Sequence, residues 1–208
     1  MRIATIALLI AFSPTLAAAA PPAGNDPDWP CIQREIPQIS AGMVWAGGPL
    51  DPDDQSWSAD PLVAPKVSEV SSRRKTVEEA IAAIDAFAAG LKDDRARLLT
   101  ALFTGVLQRI NVERSQILAG IKRYARKQAA LANAIKDKSI ERAKLASEPS
   151  PSPEAQKRRA DLDEQLTWDD RIYQERQQSL RYVCETPVLL EQRLFQIGRH
   201  ISQLVSQN

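Results

Sequence analysis

The distribution of proline constrains the fold of this 208-residue chain more than any other feature. Nine of the fourteen prolines lie in residues 20–70 and three lie in residues 149–153, whereas residues 71–148 have none. Proline fixes its own φ, removes a backbone donor and disfavours helix in the residue before it. The sequence therefore predicts an irregular N-terminal arm, a long helical body and a sharp turn near residue 150.

The first nineteen residues have the layout of a secretory signal peptide. Arg2 supplies a basic start, an apolar stretch runs from Ile3 to Phe12, and small residues follow up to a predicted cleavage after Ala19. The apolar stretch is well short of the roughly 20 residues that a membrane-spanning helix needs. We therefore expect residues 1–19 to be removed and the mature chain to be periplasmic or secreted, without a transmembrane span.

Export changes the interpretation of the two cysteines, because oxidising compartments form and keep disulfides. Cys31 and Cys184 allow one intramolecular pairing, and their spacing fits neither a CxxC redox motif nor a CxxCH haem motif. We predict a Cys31–Cys184 disulfide that fastens the arm to the body. Free or intermolecular thiols are the alternative.

The arm, residues 20–72, combines many prolines with bulky apolar residues. It carries Trp29, Trp45 and Trp57, three of the four tryptophans of the chain. Disordered segments are usually poor in such residues. We therefore expect the arm to have little regular structure and to be ordered by packing on the second domain, residues 73–208.

The second domain is predicted to begin with a short helix. Thr76 and Glu79 have the spacing of a capping box, and Gly90 is placed to end the helix. Between them, apolar residues recur at spacings of three and four, which is typical of an amphipathic helix. The apolar positions are Val77, Ile81, Ile84, Phe87 and Leu91.

Two helices of about 50 residues follow, as judged from apolar periodicity. Asp93 is the predicted cap of the first, Ser152 and Pro153 suit the start of the second, and Pro187 is expected to kink or interrupt it with Thr186 as a cap. The predicted fold is all-α: a long antiparallel helical hairpin plus a short helix, with the arm tied on. Gly105 and Gly120 are expected to permit close backbone approach.

Residues that could carry chemistry are few, and we predict no catalytic residue, metal site or cofactor. The chain lacks the GxSxG and phosphate-loop motifs, and its one histidine, His200, borders a predicted apolar stripe. Five carboxylates cluster with arginines within helical reach, which favours surface ion pairing over a hydrolase or metal site. These carboxylates are Asp161, Glu164, Asp169, Asp170 and Glu175.

Charge is distributed unevenly along the chain. Residues 20–70 have a net charge of −6 and residues 71–208 a net charge of +6, while residues 122–159 alone carry +7. We predict that the basic residues near the hairpin turn, beyond reach of the arm, form one candidate interaction patch. The patch comprises Lys122, Arg123, Arg126, Lys127, Lys157, Arg158 and Arg159.

These features favour a non-enzymatic, exported adaptor or chaperone-like protein-interaction module. The chain has a general likeness to small periplasmic helical chaperones, but LTALF and LTWDD both lack the glutamine of the LTxxQ signature. The expected partner is another envelope protein, and a homodimer is a further expectation. Peripheral binding to an anionic envelope surface is the alternative, and a nucleic-acid partner is not expected after export.

Overall fold

Two helices of more than fifty residues each dominate the structure, a computed structural model that describes residues 26–207. Helix α4 spans Arg95–Ala146 and helix α5 spans Pro153–Ser206. Each is about 80 Å long at 1.5 Å per residue. They pack antiparallel, so the predicted hairpin is confirmed. The predicted signal peptide, residues 1–19, lies outside the described residues.

The register of the hairpin follows from hydrogen bonds between its helices. Tyr124 Oη donates to the carbonyl of Arg176 at 3.1 Å, and Gln128 Nε2 donates to the carbonyl of Tyr173 at 2.8 Å. The residue numbers in each pair are symmetrical about residue 150, as predicted. Ser152 caps α5 by accepting a hydrogen bond from the N–H of Ala155.

Among the described residues, three short helices precede the hairpin. Helix α1 spans Ala41–Val44, α2 spans Val63–Ser71 and α3 spans Val77–Gly90, with a single 3₁₀ turn at Ser56–Ser58. Helix makes up 75% of the structure, and residues 26–207 contain no strand. The capping box that begins α3 is confirmed.

Helix α2 lies inside the segment for which little regular structure was predicted, so that prediction was wrong there. Asp60 Oδ1 accepts hydrogen bonds from the N–H groups of Leu62 and Val63, which stabilises the start of the helix. Pro65 lies in the first turn, where its missing N–H would have no intrahelical partner. Pro61 and Pro65 therefore lie on either side of the start of α2 without preventing the helix from forming.

Two details of the long helices also differ from prediction. The residue that precedes α4 is Asp94 instead of Asp93, and its side chain makes no capping hydrogen bond. Pro187 does not interrupt α5, which runs unbroken through it, so Thr186 caps no second helix. The Thr186 hydroxyl instead donates to the carbonyl of Tyr182 within the same helix.

The core lies at the open end of the hairpin, where α1, α2 and α3 cover the first half of α4 and the last turns of α5. Trp45 of the arm stacks on Phe103, with ring centroids 4.4 Å apart. The packed tryptophans Trp45 and Trp57 show that the described part of the arm, residues 26–72, packs on the helices as predicted, while residues 20–25 lie outside the described residues. The fully buried large side chains of this core include Ile39, Ile84, Leu99, Leu102, Phe103, Ile110, Leu194 and Ile197.

Two helical glycines permit the closest approaches in this core. A Cβ at Gly198 would collide with the carbonyl oxygen of Val44 and the ring of Phe103, and a Cβ at Gly105 would lie 2.7 Å from the Trp57 indole. Gly120, by contrast, faces open space apart from an Arg123 nitrogen at 3.8 Å. The expectation of close approach therefore holds at Gly105 but not at Gly120.

We predict that Gly198→Ala lowers the free energy of unfolding by about 1 to 3 kcal/mol, because the backbone of α1 must move away from α5. Gly120→Ala is the matched control. It should leave stability unchanged or raise it by roughly 0.5 to 1 kcal/mol through helix propensity. Urea unfolding followed by circular dichroism measures both changes, and equal stability of the two variants would contradict the packing described here.

Candidate functional site

The arm is fastened halfway along the hairpin by a disulfide and a group of ion pairs. Cys31 is bonded to Cys184, with Cα atoms 5.6 Å apart. Beside this bond, Lys122 Nζ lies 2.8 Å from Asp26 Oδ2 and 2.6 Å from Glu35 Oε1. Hydrogen bonding to Lys122 lowers the pKa of Asp26, and the same bond raises the pKa of Lys122. The acidic arm therefore reaches the basic segment of α4.

A buried arginine continues this junction toward the core. Arg114 has 4% of its side chain exposed, and its guanidinium donates to the carbonyls of Ile36 at 2.7 Å and Pro187 at 3.2 Å. Burial lowers the pKa of Arg114, and the charge of Glu191 opposes that shift. Asn111 exchanges two hydrogen bonds with the backbone of Ile39. Polar groups of α4 thus bind the otherwise irregular backbone of the arm.

The seven predicted patch residues do not form one surface. Lys122 is paired with the arm, as described, and Arg126 Nη1 lies 2.6 Å from Asp28 Oδ2. Arg158 pairs with Glu141, which is about 21 Å beyond Lys127 along α4 at 1.5 Å per residue. The first group lies beside the arm and the second near the turn. The remaining members, Arg123, Lys127, Lys157 and Arg159, are exposed.

The arm reaches Lys122 and Arg126 because Cys184 lies near the middle of the hairpin and not at its open end. Residues 26–28 therefore lie beyond the disulfide, beside Lys122 and Arg126 of α4 on the side of the turn. Part of the positive charge that suggested an external anionic partner is neutralised within the chain. The prediction that these residues lie beyond reach of the arm was wrong.

A second buried arginine joins α5 to the segment between α2 and α3. The guanidinium of Arg193 donates to the carbonyls of Val70, Ser72 and Lys75 at 2.8 to 3.0 Å. The carbonyls of Val70 and Ser72 lie at the end of α2, where helices leave acceptors without intrahelical partners, and that of Lys75 lies just before α3. Burial lowers the pKa of Arg193, with Glu113 and Glu78 opposing the shift. Arg193 therefore fixes the position of α2 against the hairpin.

The carboxylates of α5 are spread along the helix and paired with neighbouring side chains. Asp169 Oδ2 lies 2.7 Å from Lys138 Nζ, and Glu175 Oε1 lies 3.0 Å from Arg171 Nε. Asp170 accepts a hydrogen bond from Gln174, whereas Asp161 and Glu164 are exposed. Within residues 26–207, no group of three His, Cys, Asp or Glu side chains could hold a metal ion.

His200 connects two helices of the core. Its Nε2 atom lies 2.6 Å from Asp85 Oδ1, so the histidine of α5 meets a carboxylate of α3. Both groups lie at the outer edge of the α3–α5 contact. The position is that of a polar contact bordering the core, as the sequence predicted.

An apolar face of α5 extends beyond the part that α3 covers. Arg193, Ile197 and His200 lie on the side of α5 that meets α3, and helical spacing continues this side toward the turn. Five large apolar residues on it are exposed, among them Tyr182 at 74%, Leu189 at 59% and Trp168 at 55%. The other two are Ile172 and Val183. We call these five residues the α5 face.

A groove of about 1080 Å³ lies between α2 and α4. Three arginines and one glutamate line it: Arg73, Arg74, Arg109 and Glu113. Arg73 Nε lies 2.8 Å from Glu113 Oε1, and Arg109 Nη1 donates to Ser68 Oγ at 3.4 Å. Sequence reasoning did not predict this site, although the run SSRRK at residues 71–75 is a visible basic signal.

Comparison with family models, curated proteins and solved structures finds no match. None of the helices within residues 26–207 is sufficiently long and apolar to cross a bilayer. The surfaces of this chain are therefore the basis for a functional proposal.

We predict that Arg193→Gln lowers the free energy of unfolding by about 2 to 3 kcal/mol, because buried carbonyls of the α2–α3 segment lose a charged donor. Arg199→Gln, which changes an exposed arginine six residues further along α5, is the matched control and should stay within about 0.5 kcal/mol of the natural protein. Urea unfolding measures both. A loss at Arg193 no larger than that at Arg199 would contradict the assigned role.

We predict that reduction of the disulfide releases the arm before the helices unfold. The closed loop spans 153 residues, and in the chain-entropy model such a crosslink stabilises the fold by about 4 to 5 kcal/mol. Hydrogen exchange should become faster in residues 26–35 while the backbone of the core segments of α4 stays protected. Rapid alkylation of both cysteines before any reductant is added would contradict the presence of the Cys31–Cys184 disulfide.

Proposed function

We propose that this protein is an exported, non-enzymatic adaptor or chaperone-like module of the cell envelope, and that the α5 face binds a helical segment of another envelope protein. The observation that carries the proposal is the continuity of the α5 face with the surface that α3 covers. At the core, a helix packs on this side of α5; toward the turn, the same side carries exposed apolar residues. A partner helix would continue the packing that α3 begins.

The size of the α5 face supports a specific contact. From Trp168 to Leu189 it extends about 32 Å at 1.5 Å per residue, enough for a partner helix of about 20 residues. Single exposed apolar residues are ordinary on protein surfaces, whereas contiguous apolar patches mark interaction sites. Tryptophan and tyrosine are also enriched among the residues that contribute most to binding energy. The apolar residues form two groups, Trp168 with Ile172 and Tyr182 with Val183 and Leu189, with Glu175 and Ser179 between them on the same side of α5. A partner helix of that length would contact both groups.

Export is supported by two independent features. The N-terminal residues have the composition of a signal peptide, and the chain forms a disulfide between its only two cysteines. Disulfides persist in oxidising compartments such as the periplasm. A non-enzymatic role is supported by the pairing of Asp169 and Glu175 with basic neighbours, which leaves these carboxylates on the surface of a single helix.

We predict that a photo-crosslinking amino acid at Trp168 or Tyr182 captures a partner in the envelope, whereas the same amino acid at Gln177 does not. Gln177 is exposed on the opposite side of α5 and serves as the matched control. Mass spectrometry should map the captured site to an amphipathic helical segment. Replacing Trp168 and Tyr182 with serine should abolish co-purification of that partner.

Three other outcomes of the crosslinking experiment would change or contradict this proposal. A crosslinked species with twice the mass of the chain, mapped to α5 in both copies, would make the occupant a second copy and the protein a homodimer. Equal capture at Gln177 and at the α5 face would remove the case for a specific surface. Capture of a segment that is not helical would contradict the proposed mode of recognition.

A further inference from the structure

We propose that the groove between α2 and α4 binds an oxyanion, supplied by a carboxylate- or phosphate-bearing ligand. The proposal rests on a different part of the molecule from the α5 face and does not depend on it. Its starting point is the charge of the lining, which includes three arginines, Arg73, Arg74 and Arg109, and one carboxylate, that of Glu113. The groove therefore has an excess of positive charge.

The three arginines differ in how many of their hydrogen-bond donors already have a partner within the chain. Arg73 forms the ion pair with Glu113, whereas Arg109 makes one long hydrogen bond, to the neutral hydroxyl of Ser68. Arg74 and Arg109 are exposed and lie on opposite walls of the groove, on the α2 side and on α4. A guanidinium presents several donors in a planar fork that matches the two oxygens of a carboxylate or phosphate. An oxyanion between these walls would receive such donors from both sides.

Neutral groups complete the lining. Ser68, Ser72 and Gln116 supply hydroxyl and amide groups, and Val112 adds an exposed apolar surface. Binding sites for small ligands commonly combine apolar surface with a few converging polar groups that fix orientation. The arginines would hold the anionic group, and the remaining residues would contact the body of the ligand.

Both walls are held in place by contacts outside the groove. On the α2 side, Arg193 binds the carbonyls of Val70 and Ser72. At the other end, the Trp57 indole donates to Gln108 Oε1 at 2.8 Å, and the Gln108 amide donates to the arm carbonyls of Pro52 and Asp54. A site whose walls are already fixed loses little entropy when a ligand binds. The backbone of both walls is therefore held in place in the folded chain, whereas the exposed side chains of Arg74 and Arg109 would be ordered when the ligand binds.

The test is a titration of the isotopically labelled full mature chain with inorganic phosphate and, separately, with glucuronate. The Trp57 indole N–H resonance reports on the groove, and the Trp168 resonance reports on a distant surface. A saturable shift at Trp57 without one at Trp168 is the expected result. The ligand with the lower Kd identifies the source of the oxyanion as phosphate or carboxylate. The absence of a saturable shift with both ligands would overturn the proposal.

Variants of the chain distinguish binding in the groove from nonspecific attraction between an anion and the positive charges of the surface. Arg74→Gln with Arg109→Gln should weaken binding at least tenfold, whereas Arg159→Gln with Arg181→Gln removes the same charge from exposed positions on α5 and should change Kd less than twofold. Glu113→Gln frees Arg73 and removes the opposing charge, so it should tighten binding at least threefold. Equal losses in the two arginine pairs, or unchanged affinity in Glu113→Gln, would overturn the assignment.

Discussion

A pair of antiparallel helices can bury only the side of each helix that faces the other, and the rest of this structure depends on that limit. An amphipathic helix in a globular core usually has an apolar stripe wider than a single partner can cover. Here α2 and α3 add a third layer near the open end of the hairpin, and the core forms there. Toward the turn, α4 and α5 continue without these helices. The α5 face is the part of the apolar stripe that this arrangement leaves uncovered.

The arm is held by backbone recognition more than by regular structure of its own. Arg114 and Asn111 of α4 bind the carbonyls of Ile36 and Ile39, so an extended segment obtains the hydrogen bonds that a strand or helix would otherwise supply. Arg193 does the same for the end of α2. Both arginines are buried and donate to neutral carbonyl acceptors, and Arg114 also lies 3.8 Å from the Glu191 carboxylate. Charged donors fixed on long helices thus order the irregular parts of the chain.

Sequence reasoning predicted the features that local signals determine. The capping box at Thr76, the start of α5 at Ser152 and the disulfide each follow from spacing, composition or elimination, and the structure has all three. The fate of Lys122 and Arg126 could not be predicted in this way, because it depends on where along the hairpin Cys184 directs the arm. The continuity of α5 through Pro187 could not be predicted either, because it also depends on contacts between distant parts of the chain. Proline removes one helical donor, but α5 is held to its neighbours on both sides of this position by the disulfide at Cys184 and by the bond from Arg114 to the Pro187 carbonyl.

The proposed site in the groove illustrates why net charge along a sequence is a poor guide to where cations collect on the folded surface. The densest basic segment contains Lys122 and Arg126, and the acidic arm pairs with both of them. The groove, by contrast, joins Arg73 and Arg74 to Arg109, which is 35 residues further along the chain, so no short window contains the site. The basic segment of α4 and the groove differ in which acceptors surround their cations in the folded chain. A cation paired with a carboxylate of the same chain, such as Lys122, Arg126 or Arg73, is a structural contact, whereas Arg74 and Arg109 line the groove without a carboxylate partner among residues 26–207 and have donors left for a ligand.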